Sequence, residues 1–497
     1  MQKRTKNIKL NLILFLLCFI LLFSLFAVLP ACSVERYTVE YYAGTGGHID
    51  GKKVQKVRMG RKTSSVKAVA NVGYKFIGWS DGVTSSSRTD DKSYGGMTVQ
   101  AYFDIDELSL PVIVIDTEDS KPILDKENYI ACSVTVQNTE EQYMFAGKEA
   151  KIKGRGNSTW KMFDKKPYKL KFGEKADLFG NGSAKAWTLI ANYSDKSLLR
   201  NKIAYALGDA MGLEYTNQCR SVELYLNGEY MGVYLVCEQT ETGKTRVNVN
   251  DDINPEDQGF LVELDWHIIE EDGTEGLDWF YIDGTPYAIK GPETDEDGYT
   301  GEATEAIRQY LTECYNAVKV SSYRDIVELI DVESFAKTYI INELLKNKDV
   351  GESSWYIYRD RGGKLFSGPL WDFDLSLGNT SYHVNDGDKT RKPDRLWASE
   401  SNVWYKLLLK HDGFKALVSA LLHEYGQAIL DAADNVVNEA RACTDSYTRN
   451  FDRWKILGKY VWPNPFDIWK LRTWDKQVDY CTDFLNQSMD YLLSVYK

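Results

Sequence analysis

The stretch that decides the fold reads Lys346-Asn-Lys-Asp349, Val350-Gly-Glu-Ser-Ser354, Trp355-Tyr-Ile-Tyr358 and then Leu365-Phe-Ser-Gly-Pro-Leu-Trp371, ending in Asp372-Phe-Asp374. Before it, Val332 to Leu345 repeats apolar residues at helical spacing and predicts a helix. Trp355 to Tyr358 reads as a strand, Asp360-Arg-Gly-Gly-Lys364 as a turn, and Leu365 to Trp371 as the returning strand. Folding that hairpin about Gly362-Gly363 brings Asp349 next to Asp372. If the strand continues, Asp374 points to the same side as Asp372. Carboxylates so placed suit a general base and ligands for a divalent cation. Trp371, Phe373 and Leu375 around them argue that these acids are not simply solvated.

Upstream, Lys151-Ile-Lys-Gly-Arg-Gly-Asn-Ser-Thr-Trp160 is a glycine turn with hydroxyl and basic neighbours. Glycine lets backbone amides approach an anion, although any tight hairpin would use the same residues. In the strand that follows, Lys169 and Lys171 share one face, opposite Tyr168, Leu170 and Phe172. Those lysines fit either a phosphate contact or a solvated face. A helix is expected from about Lys196 to Met211 with Asp195 as N-cap; its Arg200 fits phosphate contact or helix packing. Asn227-Gly228 marks a hairpin whose outgoing strand ends at Glu238, which either lines a cleft or closes the strand.

These signals order the chain. Strands prevail from about Leu108 to residue 295, and helices from about residue 300 to Lys497, including a C-terminal stripe of Val478, Cys481, Phe484, Leu485, Met489 and Leu492. An α+β body follows, a strand-rich lobe over about 108–295 and a helix-rich lobe over about 300–497. Residues 37–105 change character, with short alternating runs between glycine turns, and predict a small all-β module. Its Gly73-Tyr-Lys-Phe-Ile-Gly-Trp-Ser-Asp-Gly82 resembles divergent internalin-B-type repeats of bacterial surface proteins, which implies a spacer or weak interaction role; Trp79 reads as a core residue before a sugar- or partner-binding one.

Residues 1–31 carry Lys3, Arg4, Lys6 and Lys9 before an apolar run from Leu10 to Val28, the pattern of an export signal. Leu29-Pro-Ala-Cys32 resembles a lipobox, so Cys32 is the expected lipidation site; an uncleaved signal anchor is the alternative. Either places the body on the outer face of a bacterial cytoplasmic membrane. The remaining cysteines, Cys132, Cys219, Cys237, Cys314, Cys443 and Cys481, are scattered without a Cys-x-x-Cys, so no zinc site is expected.

Composition narrows the function classes. The chain has 497 residues and a net charge of −12, which disfavours nucleic acid as a partner. With 43% hydrophobic and 27% charged residues it is a packed globular protein. The 32 Tyr, 19 Phe and 13 Trp point to large cores first and binding platforms second.

Six blocks, taken together, resemble the CotH family of spore-coat atypical protein kinases and their bacterial surface relatives. They are Leu110-Pro-Val-Ile-Val-Ile-Asp-Thr117, Lys153-Gly-Arg-Gly-Asn-Ser-Thr-Trp160, Lys165-Lys-Pro-Tyr-Lys-Leu170, Asn192-Tyr-Ser-Asp-Lys-Ser-Leu-Leu-Arg-Asn201, Tyr225-Leu-Asn-Gly-Glu-Tyr-Met-Gly-Val-Tyr234 and Trp371-Asp-Phe-Asp-Leu-Ser-Leu-Gly378. The resemblance implies a two-lobed kinase-like fold over 108–497. It implies transfer of the γ-phosphoryl of ATP, with Mg2+ or Mn2+, to Ser or Thr of a surface or coat protein. Asp349 is then the catalytic-loop aspartate, Asp372 and Asp374 the metal ligands, and Ser354 stands where a kinase places a metal-binding Asn. Gly154, Arg155, Gly156, Asn157 and Ser158 would cover the phosphates, with Lys169 or Lys171, Arg200 and Glu238 also in the nucleotide site. Two rivals are a surface adhesion or scaffold protein that keeps this fold without transfer, and a carbohydrate-active enzyme using paired carboxylates.

Overall fold

Alternation in the first strands builds a sheet whose inward residues meet on one face. The computed structural model describes residues 36–91, 96–106, 109–271, 275–295, 298–381 and 389–497; the expected leader, with Cys32, lies outside them. Two compact units result, divided between Asp106 and Glu107. In the first, β1 (Arg36–Ala43), β3 (Val54–Arg58), β5 (Tyr74–Trp79) and β7 (Met97–Ile105) form one sheet in the order β3-β1-β7-β5. A smaller sheet joins β2 (Gly47–Asp50), β4 (Val66–Ala70) and β6 (Ser87–Arg88). Trp79 is buried with Tyr41 and Val99, donates through Nε1 to the Ser85 carbonyl at 3.0 Å and lies under the Arg88 guanidinium. It is a core aromatic.

In the second unit, seven strands close into a barrel: β8 (Val112–Thr117), β9 (Ile130–Gln137), β10 (Phe145–Gly154), β11 (Tyr168–Asp177), β12 (Ser183–Ile190), β13 (Cys219–Leu226) and β14 (Glu229–Glu238). Alternate residues such as Ile113, Val134, Ile152, Leu170, Leu189, Leu224 and Val236 fill its interior. Asn227 and Gly228 both take positive φ, 50° and 73°, the tight turn that the dipeptide announces. Between β10 and β11 the chain adds a short helix, Ser158–Met162, so the glycine turn is no simple hairpin.

A second sheet, in the order β16-β17-β15-β18-β19, combines β15 (Phe260–Leu264), β16 (Trp279–Ile282) and β17 (Thr285–Gly291) with β18 (Trp355–Arg359) and β19 (Leu365–Ser367). β15 pairs directly with β18, Glu263 opposite Tyr356. Residues 260–291 therefore belong with the later, helical part of the chain, and the expected boundary near 295 moves back to the end of β14. β19 is also shorter than expected, because Pro369 has no N–H to continue the ladder.

The helix Val332–Leu345 is buried on every side, including Lys337, Asn342 and Glu343, and forms the axis of this part. It is packed by Arg200–Ala210, by the long Asp412–Ala442 and by Trp474–Val495. The C-terminal segment thus completes the helical part, while Thr444–Arg453 packs on β14 of the barrel. Trp187, Trp279 and Trp404 have no exposed surface, in line with the core reading of the aromatic surplus. The six cysteines among the described residues are free. No helix among the described residues is long and apolar enough to cross a membrane.

Candidate functional site

A cleft of about 880 Å³ lies between the barrel and the second sheet. Its floor is made by the segment after β19. Asp372 takes a left-handed φ of 60°, and through this turn its carboxyl meets that of Asp374 within hydrogen-bond reach. The shared side expected from strand alternation arises from a turn instead. Two helix residues fix it: Asn201 Oδ1 accepts from the Phe373 amide at 2.7 Å, and Arg200 Nε donates to the Ser376 carbonyl at 2.9 Å.

Asp349 reaches the same cleft from the loop after Val332–Leu345. That helix ends where Lys346 turns left-handed at φ 52°. The Asp349 carbonyl then accepts from the amides of Glu352 (2.7 Å) and Ser353 (2.9 Å), making a tight turn. Buried Glu343 braces it by pairing with Lys346 and accepting from the Trp397 and Ser399 amides, while Trp397 Nε1 donates to the Asn347 carbonyl. Ser354 lines the cleft, its amide donating to Glu263 Oε1 at 2.9 Å.

Burial and like charge shape the electrostatics. Burial, then Asp372 and Asp349, hold the Asp374 carboxyl well above the usual carboxylate range. Burial also raises Asp372, against the pull of the Arg155 guanidinium. Among the described residues no group of three His, Cys, Asp or Glu side chains is arranged to hold a metal by itself. Two touching carboxylates nevertheless fit a magnesium-type cation, which takes one or two protein carboxylates and completes its shell with phosphate oxygens and water.

The opposite wall is the glycine turn. Gly154, Arg155, Gly156, Asn157 and Ser158 all line the cleft, and Arg155 stacks over Trp371 at 5.5 Å. The two glycines also answer to local packing. A Cβ on Gly154 would meet the Trp160 ring at 2.5 Å, and Gly156, at φ 81°, sits against Thr159. The amides of Gly154 and Arg155 already donate to the carbonyls of Asp125 and Pro167, so side chains, Arg155 first, carry this wall's positive charge.

Lys169 faces the cleft, and burial lowers its ammonium pKa with Glu241 opposing. Lys171, one pleat farther along β11, is exposed and outside the cleft. Arg200 and Glu238 are elsewhere too. Arg200 is fully buried, bonded to Asp195 and to the carbonyls of Ser376 and Leu377, and so positions the acidic turn without facing a ligand. Glu238 closes β14, pairs with Arg246 and accepts from the Gln218 amide; burial pushes its carboxyl up to about 7. It lines a separate cavity of about 240 Å³, which shares only Gln239 and Thr240 with the cleft.

Several cleft residues escaped the sequence reading. Glu263 and Asp265 arrive from β15 and its end, with Lys290 bonded to Glu263 at 3.0 Å and His267 close by. Their signal was two acids at alternate positions closing the apolar run Phe260-Leu-Val-Glu-Leu-Asp265, but only the folded cleft shows that both face inward. Trp462 and Pro463 come from the far C-terminus.

Comparison with family models gives two matches. CotH kinase protein matches residues 152–492, and Divergent InlB B-repeat domain matches residues 37–107. A comparison with curated proteins yields no match.

Proposed function

From the premise that the chain belongs to the CotH kinase protein family, we propose that it is an ATP-dependent protein kinase acting on Ser or Thr hydroxyls. One observation carries this reading: Asp349, Asp372 and Asp374 converge in a single cleft opposite Arg155 and Lys169. The barrel then serves as the nucleotide-binding lobe and the second sheet with its helices as the other.

Asp349 holds the acceptor hydroxyl and takes its proton as the oxygen attacks. Asp372 and Asp374 would hold a divalent cation, which supplies charge neutralisation at the phosphates. Arg155 and Lys169 bring positive charge to the transferred group and its leaving partner. The braced turn after Lys346 keeps Asp349 in register with the acidic pair.

The test is incubation of the chain with γ-labelled ATP and magnesium beside Asp349→Asn and Asp372→Asn. Label on the protein or on casein that disappears in both variants supports transfer; equal labelling of all three overturns it. A second reading, a surface scaffold with this fold and no transfer, draws on the committed amides of Gly154 and Arg155. It predicts ATP binding without labelled product.

We further propose export and tethering at Cys32, supported by the basic and apolar leader. Cys32→Ser should shift the protein from the membrane fraction to the soluble one. Retention in the membrane would point to the uncleaved anchor.

A further inference from the structure

Beside the acidic end of the cleft a second cavity of about 580 Å³ opens between the end of the Ser158–Met162 helix and the segment 453–462. Phe163, Tyr193 and Trp462 line both cavities, so the groove continues the cleft. The shared wall is tied to the acids. Asn464, two residues beyond Trp462, donates to the Ser194 carbonyl at 2.7 Å and to Asn379 Oδ1 at 2.9 Å; Asn379 donates in turn to the Asp374 carbonyl at 2.8 Å.

The groove has an aromatic floor. Phe163 and Tyr193 lie 5.4 Å apart by ring centroid, and Tyr193 meets Trp454 edge-on at 5.9 Å. Its rim is cationic. Lys455 and Lys459 are exposed, and no carboxylate among the described residues pairs with either; Asp164 is the groove's acid. On a chain of net charge −12, that rim is a local reversal of sign.

We propose that this groove docks the acceptor protein through an acidic segment bearing a large apolar side chain beside the phosphorylated Ser or Thr. The proposal rests on the kinase reading above. An apolar side chain fills the aromatic floor, carboxylates pair with Lys455 and Lys459, and continuity with the cleft delivers the hydroxyl toward Asp349. The acceptor oxygen bonds to the γ-phosphorus of ATP, the bond to the β,γ-bridging oxygen breaks, ADP leaves with that electron pair, and the hydroxyl proton passes to Asp349.

The test uses the full chain and two short fluorescein-labelled peptides, each with one serine and one phenylalanine, flanked by glutamates in one and by lysines in the other. Anisotropy reads binding, and γ-labelled ATP reads transfer. The glutamate peptide should bind more tightly, loosen with added salt, and lose about tenfold in affinity when Lys455→Glu and Lys459→Glu are combined, while the lysine peptide gains. Both substitutions are at exposed positions, so the fold is retained. Indifference of both peptides to the double variant overturns the groove. Transfer to the lysine peptide alone overturns the groove and leaves the kinase reading standing. Groove-dependent binding of the glutamate peptide without transfer overturns the acceptor role, and the kinase reading falls with it only if the protein itself and casein also stay unlabelled. Binding that fades as protein concentration rises assigns the groove to a second copy of the chain and also overturns the proposal.

Discussion

Asp372 and Asp374 touch while Asp349 stands close enough to raise Asp374 further, an arrangement that costs free energy unless a proton or cation separates the charges. Under the proposed kinase activity, Asp372→Asn should lower phosphoryl transfer by about three orders of magnitude, the several kcal/mol of charge stabilisation that a held cation would supply. Labelled-ATP assays across a magnesium titration check it. Gly156→Ala forces a side chain into φ 81° against Thr159 and should cost about 1–3 kcal/mol, read from the urea midpoint. Lys196 is fully buried and donates to the Lys459 carbonyl; burial depresses its ammonium pKa to about 8. Folding then favours the neutral amine, so its contribution to stability grows as pH rises from 8 to 10.5 and is flat below 8. The stability advantage of Lys196→Met over the parent should shrink across that window by up to about 3 kcal/mol, measured by denaturation at each pH. At this scale the acids were legible from their apolar neighbours. That Lys169 faces the cleft and Lys171 does not could not be read, because strand parity treats both alike.

Among the elements, the turn before Arg200–Ala210 is the most informative. The helix was expected from Lys196 with Asp195 as its cap, and it begins at Arg200 instead. Asp195 does cap, accepting from the Ser197 and Arg200 amides, while also pairing with the Arg200 guanidinium. Arg200 passes this constraint to the chain just after Asp374. Asp195→Ala would leave a buried guanidinium without its partner and should cost about 3–5 kcal/mol, visible as a lowered denaturation midpoint. Transfer activity should fall as well, since the acidic turn loses its brace. The periodicity that announces a helix says nothing about its first turn, where a side chain competes for backbone amides. The role of Arg200 was hidden for a related reason: an Arg at that spacing looks the same whether it meets a ligand or a carbonyl from a distant segment.

Over the whole molecule, each unit closes its own core, around Tyr37, Val39 and Val99 in the first and around the barrel and helical clusters in the second. Calorimetry of the full chain should therefore show two separable unfolding transitions, the smaller one for residues 36–106. Class and order of elements followed from the sequence alone, since periods of 2 and 3.6 are local properties of the chain. So did the three aspartates, because one short hairpin suffices to bring Asp349 beside Asp372. Local pattern could not reveal that β15 leaves the barrel to pair with β18, or that Trp462 and Pro463 return to wall the cleft beside Asp374. Those are meetings between segments roughly ninety residues or more apart, decided by which faces bury one another, and burial is a property that only the folded chain possesses.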